Sequence, residues 1–195
     1  ITIKKNKILI NNKNLGVGLS RNRGIEVANG TFIAFLDADD VWHKDKLKLQ
    51  LNFMKQRRIN FSYTSYQIIG NDQKIMKKII APKVINYKDL LYACNIGLSS
   101  VMMNYKLLKK DKFTNLKTKE DYLLWLRLSK KKIRMKGMKA ILFSWRKTDN
   151  SLSSSLFQKL KDAFKIYNKF LGFNFLKSIF LTIMLSINFI LKRFF

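Results

Sequence analysis

The sequence predicts an α/β layer fold: one sheet with helices flanking it. Three observations predict it. Alternating strand patterns and helix-period patterns take turns along the chain. The run Phe32-Ile33-Ala34-Phe35-Leu36 is apolar without a break, which is the pattern of a strand covered on both faces, and it stops abruptly at Asp37-Ala38-Asp39-Asp40. The chain has 195 residues and is 47% hydrophobic, enough for one core of ordinary size, which excludes a disordered protein.

Each element has a local reason. Residues 1–10 set Ile1, Ile3, Ile8 and Ile10 against polar neighbours and read as a strand. Residues 11–18 are a loop rich in Asn and Gly. Ser20 can cap a helix running to about residue 29, with Gly30 as its left-handed C-terminal residue. After the apolar run, a helix from about residue 44 carries Leu47, Leu51 and Met54 on one face. Residues 61–69 read as a strand that Gly70-Asn71-Asp72 turns into a second one at 74–80. Asn86 and Asp89 open a short helix, and 99–103 is another strand. Residues 118–129 form a helix, with Thr118 and Asp121 at capping-box spacing. Short strands follow at 133–135 and 140–145, then a polar loop at 149–155 and an amphipathic helix at 156–171.

Composition excludes several classes. One Cys (Cys94) rules out a disulfide framework or a Cys-based zinc site and reads as a small core residue, and one His (His43) rules out a His-rich metal site. Thirty-nine Lys and Arg face twelve Asp and Glu, for a net charge of +27. Such a surface is drawn to anionic headgroups and phosphorylated substrates. Because 31 of the cations are lysine, compositional bias explains much of the excess. The charge is spread evenly, with no RNA-binding motif or Arg-rich arm, so a nucleic-acid partner is not expected. No secretory signal pattern opens the sequence. Residues 170–195 are strongly apolar and contain Lys192-Arg193, but their longest uninterrupted stretch falls far short of the ~20 residues a membrane span needs. An interfacial helix on an anionic membrane surface is expected there, with a helix docked on the core as the alternative.

Three of the twelve acids lie within four residues (Asp37, Asp39, Asp40), and two more are adjacent (Glu120, Asp121). Like charges this close raise one another's pKa, a penalty that a divalent cation removes. Carboxylate oxygens are the ligands Mg²⁺ and Mn²⁺ prefer. The first cluster follows a buried strand, where ligands bind in open α/β sheets. An acidic turn that merely ends the strand and caps the next helix is the competing reading.

Asn14-Leu15-Gly16, Ser20-Arg21-Asn22-Arg23-Gly24-Ile25, Ala28-Asn29-Gly30 and the segment from Phe32 through Asp40-Val41-Trp42 resemble, in that order, the family 2 glycosyltransferases, whose fold is GT-A (Rossmann-like). Lys119-Glu120-Asp121-Tyr122-Leu123-Leu124-Trp125-Leu126-Arg127 is similar to the family's second acidic signature. Trp145-Arg146 with Asn150-Ser151-Leu152-Ser153 is similar to the segment that often closes its domain.

The resemblance covers about residues 5–155. It implies a partial GT-A domain at 1–155; the tail at 156–195 carries no family signature, and its own composition is what predicts a C-terminal helical, membrane-associated segment there. The expected activity is inverting, metal-dependent transfer from a nucleotide-diphosphate sugar to a cell-surface glycan or lipid-linked acceptor, in the cytoplasm or peripherally on the inner face of the plasma membrane. Asp37 would contact the nucleotide. Asp39, supported by Asp40, would hold Mn²⁺ or Mg²⁺ at the diphosphate. Arg21 would sit by the donor, Asp121 would be the general base and Glu120 would assist it. Arg146 would neutralise the diphosphate or simply flank a strand. Trp125 and Trp145 are expected in the core.

In the family's pattern a strand, loop, helix and second strand precede the Asn14 block, so this chain is expected to begin within the strand that follows them. A non-catalytic fragment with the same fold is therefore the alternative to an enzyme, and a basic nucleic-acid-binding protein is a more distant one.

Overall fold

The computed structural model of the protein describes residues 7–147 and 155–194. Helix α1 (Val17–Glu26) leads to β1 (Phe32–Ala34), β2 (Val41–Trp42) and α2 (Lys46–Arg57). Next come β3 (Phe61–Ile69), β4 (Ile75–Ile79), β5 (Val84–Ile85) and α3 (Tyr87–Tyr92). A 3₁₀ turn (Leu98–Ser100) precedes β6 (Met102–Asn104), α4 (Lys106–Lys110), α5 (Glu120–Lys130) and β7 (Met135–Arg146). Helix α6 (Leu156–Lys165) runs through a π turn (Ile166–Phe170) toward α7 (Phe175–Phe194).

The strands form one mixed sheet in the order β1-β6-β3-β7-β2. The β3–β7 pair is parallel and the other pairs are antiparallel. Register shifts near Ser65 bend the long central pair. Along one side of β3, β6 pairs with its start and β4 with its end, and β7 is flanked in the same way by β5 and then β2.

The sheet separates two apolar layers, and alternation along the strands assigns side chains to each. Ile33, Phe35, Phe61, Tyr63 and Met103 join the larger core with α3, α5, α6 and α7, where Phe61 meets Trp125 edge to face at 5.1 Å. Phe32, Ala34 and Met102 meet Leu47, Leu51 and Met54 of α2 on the other side. Ala163, Ile166, Tyr167, Leu181 and Leu185 lie in the larger core, so α6 and α7 pack into the same unit as the sheet. Cys94 packs against that core as a half-buried thiol.

Several local expectations are corrected. Residues 7–10 form no strand, and residues 1–6 and most of the 149–155 loop lie outside the described residues. Helix α1 starts three residues before Ser20, with Gly16 at its N-cap at φ 78°, and Ser20 Oγ instead donates back to the Gly16 carbonyl. The helix ends at Glu26, and Gly30 has no left-handed backbone because Val27 closes the turn in the ordinary helical region. The 32–36 run does put apolar side chains on both faces, but β1 is an edge strand of three residues and only half-buried. The two strands expected at 133–135 and 140–145 are one continuous strand, Met135–Arg146. The capping box expected at Thr118 is absent: Lys119 is the N-cap, and Thr118 is turned to Asp162. The box at Asn86 and Asp89 is present. Helix α7 docks one face on the core, which was the alternative expected for the tail, and leaves apolar side chains exposed on the other. Among the described residues no helix is long and apolar enough to cross a membrane.

A polar ladder is buried between α2 and the sheet. Lys46, 0% exposed, donates to Gln50 Oε1 at 2.8 Å and stands 4.3 Å from the centre of the Trp42 ring. Gln50 Nε2 donates in turn to Ser62 Oγ at 3.0 Å and to the Ser100 carbonyl at 2.9 Å. Burial pushes the Lys46 ammonium down to about 7. A lowered folded pKa means that the charged form costs stability in full below about pH 7, and that this cost fades as pH rises toward the ordinary lysine value of 10.5. Lys46→Met is therefore expected to stabilise the fold by roughly 2 kcal/mol at pH 6, after the lost hydrogen bond and ring contact are deducted, with a gain near zero at pH 10. Urea denaturation of both proteins at the two pH values measures this.

Candidate active site

The acids gather at one crevice of about 750 Å³, lined by Arg21, Asp37, Asp39, Asp40, Glu120, Asp121, Trp145 and Arg146. It thus brings together all seven site residues read from the sequence, although Asp39 and Asp121 lie 82 positions apart.

The first wall is the turn between β1 and β2. Asp40 N–H donates to the Asp37 carbonyl at 3.1 Å, and Asp37 N–H donates to Ser99 Oγ at 3.1 Å. Trp42 Nε1 donates to the Ser99 carbonyl at 2.8 Å, fastening the far side of the turn to the same residue. Because β2 pairs with the end of β7, Arg146 reaches the turn as well. Its N–H donates to Asp40 Oδ1 and its Nε to the Asp39 carbonyl, both at 3.2 Å. Burial, opposed by the Ser99 and Arg146 bonds and aided by the charges of Asp37 and Asp39, pushes the Asp40 carboxyl up to about 6. The Asp39 side chain stays exposed to the crevice.

The second wall is the N-terminus of α5. Lys119, at φ 62°, breaks the chain direction so that Glu120 and Asp121 form the first helical turn, where the helix dipole favours carboxylates. The loop before it is clamped from α6: buried Asp162 Oδ2 accepts from both the N–H and the hydroxyl of Thr118 at 2.9 Å. Asp121 Oδ1 accepts from Tyr122 N–H at 2.6 Å. Burial first, then the Glu120 charge, pushes the Asp121 carboxyl up to about 7 against the pull of that bond and of Arg21.

Arg21 joins the walls. Its Nη2 donates to Asp37 Oδ1 at 2.6 Å and its Nη1 to Glu120 Oε1. Helix α1 comes close enough for this because Gly18 lies against the 113–114 segment, where an added Cβ would collide with the Thr114 carbonyl oxygen. The Asn22 side chain locks the approach, donating to the Phe113 carbonyl at 2.9 Å and accepting from Phe113 N–H at 3.0 Å.

Sequence reasoning missed part of the lining. Trp125 is buried in the core as expected, but Trp145 faces the crevice, as do Tyr66 and Phe189. Trp145 stands next to Arg146, and that adjacency was the available signal. Phe189 had none, since it lies in the tail beyond any family motif.

Carboxylate oxygen is a donor set that suits Mg²⁺ or Mn²⁺. Among the described residues no group of three or more His, Cys, Asp or Glu side chains could enclose an ion. One or two carboxylates fit an ion that arrives with substrate phosphates, the usual situation for Mg²⁺.

Arg21→Met should leave Asp37, Glu120 and Asp121 facing one another without their shared cation. The expected loss is about 2 kcal/mol, larger at pH 8 than at pH 5, because protonation of the carboxyls relieves the repulsion. Gly18→Ala, which forces α1 away, should cost a similar amount with little pH dependence. Chemical denaturation at both pH values separates the two effects.

Comparison with known proteins gives the family and the fold. The family model for glycosyl transferase family 2 matches residues 2–126. The Bacillus subtilis protein named teichuronic acid biosynthesis glycosyltransferase TuaG is 34% identical over 182 residues, 93% of this chain and 72% of that protein. The Escherichia coli UDP-Glc:alpha-D-GlcNAc-diphosphoundecaprenol beta-1,3-glucosyltransferase WfgD is 37% identical over 165 residues, 84% of this chain and 64% of that protein. Among solved structures, S. aureus TarS 1–349 in complex with UDP-GlcNAc aligns with a TM-score of 0.62 at 18% identity, over 79% of this chain and 45% of that one, a likeness of fold. With the family model covering well over half of its length and both acidic signatures meeting at one crevice, this chain belongs to the family 2 glycosyltransferases.

Proposed function

We propose that the protein transfers a sugar, with inversion, from a nucleotide-diphosphate donor to a glycan or lipid-linked acceptor. The observation that carries this reading is the meeting of Asp39 and Asp121 at one crevice, because a base and a leaving-group site must flank the same anomeric carbon. The names of the relatives supply the substrate classes: WfgD uses UDP-Glc and a diphosphoundecaprenol-linked acceptor, and TarS structures hold UDP-GlcNAc or UDP. Nucleotide sugars are cytoplasmic metabolites, so transfer at the cytoplasmic face of a membrane belongs to the same reading.

Each residue has a chemical task. Asp121 accepts the proton of the acceptor hydroxyl as that oxygen attacks the anomeric carbon, and a carboxyl near 7 is matched to work at neutral pH. Glu120 holds Arg21, whose charge keeps Asp121 from rising further. Asp39, with Asp40 behind it, is the place for Mn²⁺ or Mg²⁺, which would supply charge neutralisation of the departing diphosphate. Asp37 faces the donor and is oriented by Arg21, and Arg146 fixes the turn that carries Asp39. Trp145 adds an aromatic wall beside them.

The test is a transfer assay with a UDP-sugar and a lipid-diphosphate acceptor. Activity should disappear with chelator and return with Mn²⁺ or Mg²⁺. Asp121→Asn should lower turnover by on the order of 100-fold or more while donor binding persists, and full activity in that variant would remove Asp121 from the mechanism. A base must be ionised to act, so kcat/KM should rise with pH through about 7 and level off above it.

A further inference from the structure

Helix α7 carries apolar side chains on its outer face as well as on the face docked to the core. Its hydroxyl side chains point inward: Ser178 and Thr182 are buried, and Ser178, Thr182 and Ser186 each donate to the carbonyl four residues back at 2.8 Å. Its outer face carries Leu176 (77% exposed), Phe180, Ile183, Ile187 and Ile190, spaced as one helical stripe. The stripe is held rigidly, because Leu181 and Leu185 sit in the core and Asn188 Nδ2 donates to the Tyr92 carbonyl at 3.0 Å. Leu156 and Phe157 (76% exposed) add apolar surface from the start of α6. The stripe also leads somewhere: Phe189, one position from Ile190, lines the crevice that holds Asp39 and Asp121.

We propose that the outer face of α7, with the first turn of α6, is a docking surface for an anionic lipid bilayer, and that it seats the crevice mouth at the headgroup plane. Charge selects this occupant. Between residues 155 and 191 five lysines (159, 161, 165, 169 and 177) accompany a single acid, Asp162, which is buried and bonded to Thr118. Lys159 stands 5.2 Å from the ring centre of exposed Phe189, so a cation accompanies an aromatic beside the stripe, the composition suited to a headgroup boundary. A second copy of this chain would bring +27 against +27, and a nucleic acid would leave the apolar stripe in water. Docked in this way, the crevice opens beside lipid, and an acceptor whose sugar is carried on a membrane-embedded chain reaches Asp121 without leaving the bilayer. That last step rests on the proposed function; the docking does not.

The test is co-sedimentation of the full chain with vesicles of phosphatidylcholine alone or mixed with phosphatidylglycerol. Binding is expected on the mixed vesicles, weakened but not abolished by high salt. Ile183→Asn with Ile187→Asn should lower partitioning at least about tenfold. Ile75→Asn with Met76→Gln, which removes exposed apolar side chains from β4, should leave it unchanged. Equal binding by the α7 pair overturns the proposal, as does light scattering in which that pair converts a dimer to a monomer. Should the α7 pair fail to fold by circular dichroism, an environment-sensitive dye on Leu176→Cys in a Cys94→Ser background decides: a blue shift on mixed vesicles supports docking and no shift refutes it. No sugar donor enters these measurements, so vesicle binding without transfer, or transfer without vesicle binding, tells the two proposals apart.

Discussion

Five carboxylates converge on one crevice in a chain whose net charge is +27, and the structure depends on how that repulsion is managed. Arg21 manages most of it. Its fork spans Asp37 on the β1–β2 turn and Glu120 at the start of α5, so one side chain closes the crevice and balances it. A lysine cannot do this, since a single ammonium lacks two divergent donors in a fixed plane. Arg146 plays the complementary part from β7, using its backbone N–H and its guanidinium to hold the turn from the other side. The acids are thus positioned before any ligand arrives, and that preorganisation gives a catalytic site its advantage over water.

The rest of the fold keeps these contacts in place. Gly18 and Asn22 seat α1 against the 113–114 segment, which sets the reach of Arg21. Helix α5 is almost wholly buried, with Tyr122, Leu123, Leu124, Trp125 and Leu126 all in the core, so its N-terminus cannot drift. The Tyr122 hydroxyl donates to the Leu90 carbonyl at 2.5 Å and lies 2.8 Å from the Tyr167 hydroxyl, which itself donates to the Leu91 carbonyl. Helix α3, helix α5 and the π turn after α6 are joined through that pair of rings.

What the sequence disclosed followed how far each cause lies along the chain. Strand β3 was legible to the residue, because its apolar and aromatic run and the Gly70 turn are adjacent. The α3 cap was legible because Asn86 and Asp89 satisfy each other within one turn. The Thr118 box was not, since its hydroxyl is claimed by Asp162 from 44 positions away. The edge position of β1 was hidden as well: a strand with a helix on one face and a core on the other looks the same in sequence wherever it sits in the sheet. At the crevice the acids and arginines were readable from spaced motifs. Trp145 was marked only by its neighbour Arg146 and Phe189 by nothing, because an aromatic that lines a cleft and one that fills a core have the same pattern. The tail gave its hydrophobicity but not which of its faces points inward.

Asp162 bears on how such a chain can change over time. Its carboxylate, supplied from beyond the last family motif, closes the loop that presents Glu120 and Asp121. An allele with a stop codon between residues 147 and 155 would lose that clamp together with Ile166, Tyr167, Leu181 and Leu185 of the core, so its defect would be one of folding. Tails exchanged between relatives by recombination face the same test. A transplanted C-terminus has to supply an acceptor for Thr118 where Asp162 stands, as well as core residues in place of Ile166, Tyr167, Leu181 and Leu185.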